Sequence, residues 1–146
     1  MLTQTVEYAL RALVALAARP DHPQTNRQLA EVTKVSGPYL SKVLQLLTKE
    51  GLVVAHRGVR GGFSLGRPAR QITILAAVNA VDPIHRITVC PLGLKAHGKR
   101  LCPLHKKMDA ALAQMEKAFG STTLADVLAE PSQSVPLCNF PRPACP

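Results

Sequence analysis

Residues 25–66 carry the pattern that most constrains the fold: two short helices in quick succession, followed by a glycine- and arginine-rich hairpin. Thr25, with Gln28 three positions later, forms a capping box that begins the first helix. Pro38 suits the first turn of the second helix, and Gly51 ends it. Two such helices, the second with a polar face, predict a helix-turn-helix. A basic hairpin directly after the second helix is then predicted to be a wing.

The predicted wing covers about residues 52–66, where the strand-like runs LVVAH and GFSLG flank the turn RGVRG. Arginines in this turn supply positive charge and the length to reach a DNA backbone or minor groove. Glycines allow tight turning and a close approach of the backbone to phosphates. The predicted DNA-contacting residues are Ser36, Pro38, Tyr39, Ser41, Lys42, Arg57, Gly58, Arg60, Gly61 and Gly62.

The charge of the chain supports an anionic partner. Its formal net charge is +9, and residues 51–70 and 83–108 contain arginine or lysine but no carboxylate. A strongly basic balance favours nucleic acid, although a charge run alone does not distinguish a binding surface from a solvated one. No segment reaches the roughly 20 apolar residues of a membrane span. The apolar stretch near the N-terminus is interrupted by Glu7 and Arg11, and it lacks the features of a signal peptide. We therefore expect a cytoplasmic protein with reduced cysteines and no membrane partner.

Three further helices are predicted from apolar spacing, over residues 3–18, 71–81 and 103–119. The last has an apolar stripe suited either to the core or to a seam with a second copy of the chain; its members are Leu104, Met108, Ala111, Leu112, Met115 and Phe119. The predicted organisation is a winged helix-turn-helix domain (1–81), a loop (82–102), a long helix with a short one (103–130), and a proline-rich tail expected to be disordered (131–146).

Four motifs in order, TVEYALRAL, PYLSKVLQLLTKEGLV, GLVVAHRGVRGGFSLGRP and TTLADVL, carry a family resemblance. From residue 2 to about 129 the chain resembles the Rrf-type winged-helix transcription regulators, the group of IscR, NsrR and CymR. The resemblance implies a mainly α fold with a small β-hairpin wing. It also implies a homodimer, joined by the long C-terminal helices, that binds a palindromic operator in double-stranded DNA; we expect a repressor. Ser41 and Lys42 follow Tyr-Leu where some members have an acidic base-reading residue, so the operator sequence is not implied.

The loop CPLGLKAHGKRLCPLH, residues 90–105, nearly repeats its Cys-Pro-Leu opening. Cluster-binding members of the family have three cysteines here, sometimes followed by a histidine, and some add a carboxylate from the partner's first helix. The resemblance implies that an iron–sulfur cluster is held by four residues of this chain, namely Cys90, Cys102, His105 and Glu7. Ala96 stands at the middle cysteine position, with His97 beside it, which favours a two-iron cluster over a four-iron one.

Other interpretations of the loop remain open from the sequence. The two thiols can form a redox disulfide, bind zinc with His105 and with or without a tail cysteine, or bind haem through a Cys-Pro pair. They can also be small buried groups of the core with no sensor role, although their surroundings predict an exposed loop. A cysteine-dependent enzyme would need a third orienting group beside Cys102 and His105, and none is recognisable; we predict no enzyme activity. Cys138 and Cys145, in the tail, have no assigned role.

Overall fold

The computed structural model describes residues 2–97, 100–132, 134 and 136, without the side chain of His97. Its elements in chain order are α1 Gln4–Ala18, α2 Asn26–Thr33, α3 Gly37–Lys49, β1 Val53–His56, β2 Gly62–Leu65, α4 Ile74–Val81, α5 Pro103–Gly120 and α6 Leu124–Ala129, with 3₁₀ turns at Ala69–Gln71 and Lys95–His97. The prediction of a mainly α fold with a β-hairpin is confirmed. Most of the tail lies outside the described residues, Cys138 and Cys145 included.

The helix starts follow from local side-chain caps. The Thr25 hydroxyl accepts a hydrogen bond from the Gln28 amide while the Gln28 side chain accepts from the Thr25 amide, so the predicted capping box of α2 is confirmed. Thr73 caps α4 in a similar way, accepting from the Ala76 amide at 3.1 Å. For this reason α4 begins at Ile74, and the prediction that this helix starts at residue 71 was three residues early. Ser36 is the N-cap of α3 by backbone geometry, but its side chain makes no capping hydrogen bond.

The core is organised around α1, which contacts α2, α3, α4, α6 and β2. Seven of its residues are buried: Val6, Ala9, Ala12, Leu13, Val14, Ala15 and Leu16. The small alanines let neighbouring helices approach closely, while Leu13 and Leu16 fill the space between them. From the opposite side, α3 contributes its predicted stripe of Leu40, Val43, Leu44 and Leu47, all buried. Burial of this shared apolar surface holds the helix-turn-helix together.

The wing is an antiparallel pair in which Val54 lies opposite Ser64 and His56 opposite Gly62. Gln24, in the connection before α2, extends this pair by exchanging two backbone hydrogen bonds of 2.8 Å with Phe63. The Gln24 side chain is buried and donates to the carbonyl of Ala15 at 2.9 Å. The wing is therefore held to the body through the part of β2 next to the turn, while the turn residues 57–60 are exposed.

The C-terminal half is joined to the domain at two places. Backbone hydrogen bonds of 2.9 Å link Ile74 to Thr122 and Leu124 to Ile72, so the start of α6 is paired with the start of α4. Between them, α5 contacts α4 but has no fully buried residue. None of the described helices is long and apolar enough to cross a membrane.

Candidate DNA interface and sensor loop

Two of the predicted recognition residues, Tyr39 and Lys42, lie on the exposed side of α3. Lys42 is exposed, and Tyr39 is partly exposed and held from behind by α1. Its hydroxyl lies 2.6 Å from the Thr5 hydroxyl, and its ring meets the Tyr8 ring edge-on with 5.4 Å between centroids. The position of Tyr39 therefore depends on the N-terminal part of α1.

Ser41, predicted to face the DNA groove, also contacts α2. It is half buried, its hydroxyl accepts a hydrogen bond from the Asn26 side chain at 2.8 Å, and it donates to the carbonyl of Gly37 at 3.1 Å. Asn26 is the first residue of α2. In this arrangement Ser41 joins the two helices of the motif.

The wing tip presents two exposed guanidinium groups. Arg57 and Arg60 are both exposed, and neither forms an ion pair with a carboxylate of the described residues. A hydrogen bond of 2.9 Å from the Gly61 amide to the Gly58 carbonyl closes the turn, so Val59 and Arg60 occupy its apex. Two unneutralised arginines on a projecting hairpin suit contact with a phosphate backbone.

The three wing glycines have different roles. A Cβ at Gly61 would lie 2.5 Å from the His56 carbonyl oxygen, and one at Gly62 would lie 2.6 Å from that of Gln24. These two glycines are therefore required by contacts inside the protein. Gly58 has φ +98°, and no described atom lies within 4 Å of the position that a Cβ would take there. Its open backbone is the one that suits close approach to a ligand.

The loop cysteines are in unlike surroundings. Cys90 is only 8 % exposed, which is contrary to the exposed-loop setting expected for both thiols. Cys102 is the N-cap of α5, and its sulfur lies 3.3 Å from Nδ1 of His105, one helical turn later. The structure thus brings together Cys102 and His105 of the proposed ligand set.

Glu7 lies on α1, where its carboxylate accepts a hydrogen bond from Arg11 Nε at 2.9 Å. Within the part of the chain that the structure describes, no three Cys, His, Asp or Glu side chains are close enough to hold one metal ion. The described residues therefore do not bring the predicted ligands Cys90, Cys102, His105 and Glu7 together as one group.

Comparison with known proteins identifies the chain. The sequence pattern of the Rrf2 family, described as iron-dependent transcriptional regulators, matches residues 2–130. The chain belongs to the Rrf2 family. A candidate HTH-type transcriptional regulator of Aquifex aeolicus (strain VF5) is 31% identical over 131 residues, covering 88% of this chain and 91% of that protein.

Solved structures agree with this Rrf2 assignment in fold. CymR, the global cysteine regulator of B. subtilis, has a TM-score of 0.72 at 23% identity and covers 87% of this chain and 95% of its own. IscR of T. potens has a TM-score of 0.73 at 24% identity, with 92% and 93% covered. The family and the Aquifex relative are transcriptional regulators, so this Rrf2 protein is a DNA-binding transcriptional regulator and not an enzyme.

The loop before α5 (residues 82–102) is tied to that helix by an ion pair that the sequence did not reveal. Arg86 donates from Nε and Nη2 to the two carboxylate oxygens of Asp109, each at 2.6 Å, and from Nη1 to Glu116 at 3.2 Å. The hydrogen bonds from Arg86 lower the pKa of Asp109, helped by the Ile87 amide at 2.9 Å. This bidentate contact fixes the start of the loop against the helix that follows it.

Sequence reasoning also missed Thr5 and Gln24. Both are polar residues whose partners are distant in sequence, Tyr39 for Thr5 and Phe63 for Gln24. Periodicity identifies apolar faces and does not report such pairings. A sequence signal for Gln24 was its position directly before the capping residue Thr25, where the chain enters α2.

Proposed function

We propose that the protein acts in the cytoplasm as a homodimeric repressor that binds a palindromic operator through α3 and the wing. The observation that carries this proposal is the exposed Lys42 face of α3 beside a carboxylate-free wing tip bearing Arg57 and Arg60. In helix-turn-helix proteins the second helix enters the major groove. The wing arginines then lie against the flanking backbone or minor groove.

DNA titrations at several salt concentrations test this proposal. Wild-type protein should bind duplex DNA with an affinity that falls steeply as salt rises, because bound cations displace counterions from phosphates. Arg60→Ala should cost about 1–3 kcal/mol on the operator if the side chain reaches a base edge, and should lower the salt slope by about 1 if it contacts phosphate. Lys117→Ala, on α5, is the control of equal charge change. If Arg57→Ala and Arg60→Ala both behave like Lys117→Ala, the wing has no role in DNA binding.

The homodimer proposal rests on the apolar stripe of α5. Leu104 and Met108 are 64 % and 48 % exposed, an unusual exposure for large apolar side chains on one helix face. Leu112 and Met115, farther along, instead line a small cavity that is also bordered by Val6 of α1, Val78 of α4 and residues 82–85. The exposed N-terminal part of the stripe is the proposed seam with the same helix of a second copy.

Sedimentation measurements test the seam. Met108→Lys places a charge in the proposed contact and should convert the dimer to a monomer at concentrations where wild type is dimeric. Gln114→Lys adds the same charge at an exposed position of the same helix and should leave the dimer intact. Equal dimerisation of both variants would exclude this part of α5 from the interface.

The proposed sensor comprises Cys90, Cys102 and His105 of one subunit and Glu7 of the other, with an iron–sulfur cluster as its cofactor. Support comes from family membership and from the Cys102–His105 contact of 3.3 Å. A bound cluster would supply iron and sulfide that respond to oxidants. The same contact is also compatible with a second candidate, in which the thiols respond to oxidants without any metal, because Cys102 lies partly exposed at the start of α5 beside a polar imidazole.

The absorption spectrum of protein purified without oxygen separates these possibilities. A cluster gives iron-dependent visible absorption that Cys90→Ser and Cys102→Ser should abolish and that His105→Ala or Glu7→Ala should shift. A Soret band identifies haem, and zinc is detected by metal analysis of colourless protein. Colourless, metal-free protein whose DNA binding is oxidant-sensitive in wild type but not in Cys102→Ser supports the thiol mechanism. If Cys102→Ser responds to oxidants like wild type and no metal binds, the loop is not a sensor.

A further inference from the structure

The apex of the wing carries an apolar side chain whose exposure the fold does not explain. We infer that Val59 enters the DNA minor groove and makes binding prefer base pairs that lack the guanine amino group there. This inference rests on the proposed function, since it needs a wing that contacts duplex DNA. It adds an apolar, sequence-discriminating contact to the charged contacts of Arg57 and Arg60.

The geometry of the turn places Val59 at the tip of the wing. Gly58 and Gly61 close the turn through a 2.9 Å hydrogen bond, which leaves Val59 and Arg60 as its two central residues. The Val59 side chain is completely exposed. Below the turn, the strands are held by Gln24 and by the close backbone contacts at Gly61 and Gly62. Val59 is therefore presented on a supported tip and not on a loose loop.

No contact within the described residues accounts for a valine at this position. The wing packs through Val53, which is buried, and through Phe63 and Leu65, which are half buried against the core. A β-branched residue at a hairpin apex also lacks the turn preference that glycine, asparagine or aspartate would bring. Nothing in the folding of the described part of the chain thus favours Val59 over a polar residue.

Duplex DNA is the partner that the surroundings of Val59 fit. Arg57 and Arg60 flank it, and residues 51–70 contain no carboxylate, so the tip is drawn to an anionic surface. The minor groove is about 6 Å wide, with walls of apolar sugar C–H groups that can cover a valine between two phosphate-bound arginines. Guanine places an amino group on the floor of that groove, whereas A·T pairs do not. A side chain that reaches into the groove therefore disfavours G·C pairs, and apolar side chains of other proteins enter it in this way.

Base analogues provide the test. The probe is a duplex selected by wild-type protein from a random-sequence pool, with the base pairs under the wing, located by footprinting, replaced in turn by A·T, G·C and I·C. An I·C pair has the minor-groove face of A·T and the major-groove face of G·C. For wild type we expect A·T and I·C duplexes to bind alike and G·C to bind about fivefold or more weakly.

Val59→Ala should weaken binding to the A·T and I·C duplexes by about 5–15-fold, as expected when two methyl groups lose a contact. Its discrimination against G·C should shrink, and its salt slope should stay that of wild type because no charge is lost. The matched control is Val54→Ala, which removes the same groups from an exposed position on β1. Since both side chains are exposed, neither variant should unfold, and thermal unfolding checks this.

Three results would overturn the inference: equal binding by Val59→Ala and Val54→Ala, an I·C duplex that behaves like G·C, or a Val59→Ala variant that keeps full discrimination. A Val59→Ala protein that binds DNA normally but loses a protein partner in pull-down would assign the tip to that partner instead. Wild type that shows no salt-dependent duplex binding at all would refute the proposed function itself. The two failures are therefore distinguishable.

Discussion

Gly62 is the position at which a single methyl group should detach the wing from the body. The Cβ of alanine there would lie 2.6 Å from the Gln24 carbonyl oxygen, 2.7 Å from its carbon and 3.0 Å from the Thr25 nitrogen. All three are backbone atoms that cannot rotate away. The residue also has φ +147°, a conformation that L side chains rarely adopt. Gly62→Ala should therefore separate β2 from the 24–25 segment.

The magnitude follows from what that separation breaks. Two backbone hydrogen bonds join Gln24 and Phe63, each 2.8 Å long, and each contributes about 0.5–1.5 kcal/mol net. Backbone strain at a positive φ adds about 1–3 kcal/mol. We expect Gly62→Ala to lower the free energy of unfolding by about 2–6 kcal/mol, since the strain and the lost hydrogen bonds act together.

Gly58→Ala is the matched control, because its φ of +98° carries strain while no described atom lies within 4 Å of the added Cβ. Urea unfolding at one fixed protein concentration should show that Gly58→Ala lowers the free energy of unfolding by about 1–3 kcal/mol relative to wild type. The free energy of unfolding should be lower for Gly62→Ala than for that control. The duplex affinity of Gly62→Ala should also fall, because the wing arginines lose their fixed position. Equal unfolding free energies for the two variants would refute the steric argument.

Three further predictions concern the core, the ion pair between Arg86 and Asp109, and the recognition helix α3. Leu13→Ala should lower the free energy of unfolding by about 2–5 kcal/mol, since this leucine is fully buried at the centre of α1. Asp109→Asn should destabilise the protein at neutral pH, because the hydrogen bonds from Arg86 lower the folded-state pKa of Asp109. That stabilisation is present above the unfolded-state pKa of about 4 and is lost as pH falls through the lower folded-state value, so the difference between variant and wild type should shrink in acid. Thr5→Val should weaken duplex binding about threefold by releasing the Tyr39 hydroxyl.

Each of these predictions has its own check. Leu46→Ala, at a partly exposed position of α3, should change the unfolding free energy much less than Leu13→Ala. An Asp109→Asn difference that is constant from pH 7 to about pH 3 would show that the carboxylate charge is irrelevant. If Thr5→Val binds duplex DNA as tightly as wild type while Tyr39→Phe binds it more weakly, then the Tyr39 hydroxyl acts without its contact to Thr5 of α1.

Local chemistry explains which parts of the fold were predictable from the sequence. The capping box at Thr25, the stripe of α3 and the Gly- and Arg-rich wing each depend on residues within a few positions of one another. Such patterns fix element type and order. The start of α4 was misplaced because the apolar pattern extends upstream to the buried Ile72, whereas the cap at Thr73 sets the first helical residue.

Contacts between distant residues explain the rest. Gln24 is buried because its partners, Ala15 and Phe63, come from a helix and a strand that no local pattern places beside it. Cys90 is buried although its neighbours in sequence are glycine, leucine and lysine residues typical of an exposed loop. Ser41 bonds to Asn26 of the other helix, a pairing that the local pattern of α3 does not show. In each case a tertiary contact overrides the local pattern.

Under the proposed sensor function, the contacts of α1 predict that a signal acts differently on α3 and on the wing. Its N-terminal half carries Glu7 and, through Thr5 and Tyr8, holds Tyr39; its C-terminal half holds the wing through the Ala15 carbonyl. Arg11, between them, pairs with Glu7, lies 5.7 Å from the Tyr8 ring centroid and donates to the Thr33 carbonyl of α2. If Glu7 is withdrawn into a sensor of the second subunit, Arg11 loses its carboxylate next to the tyrosine pair. The contacts of α3 should then change before those of the wing, so a signal would alter operator selectivity more than salt-dependent affinity.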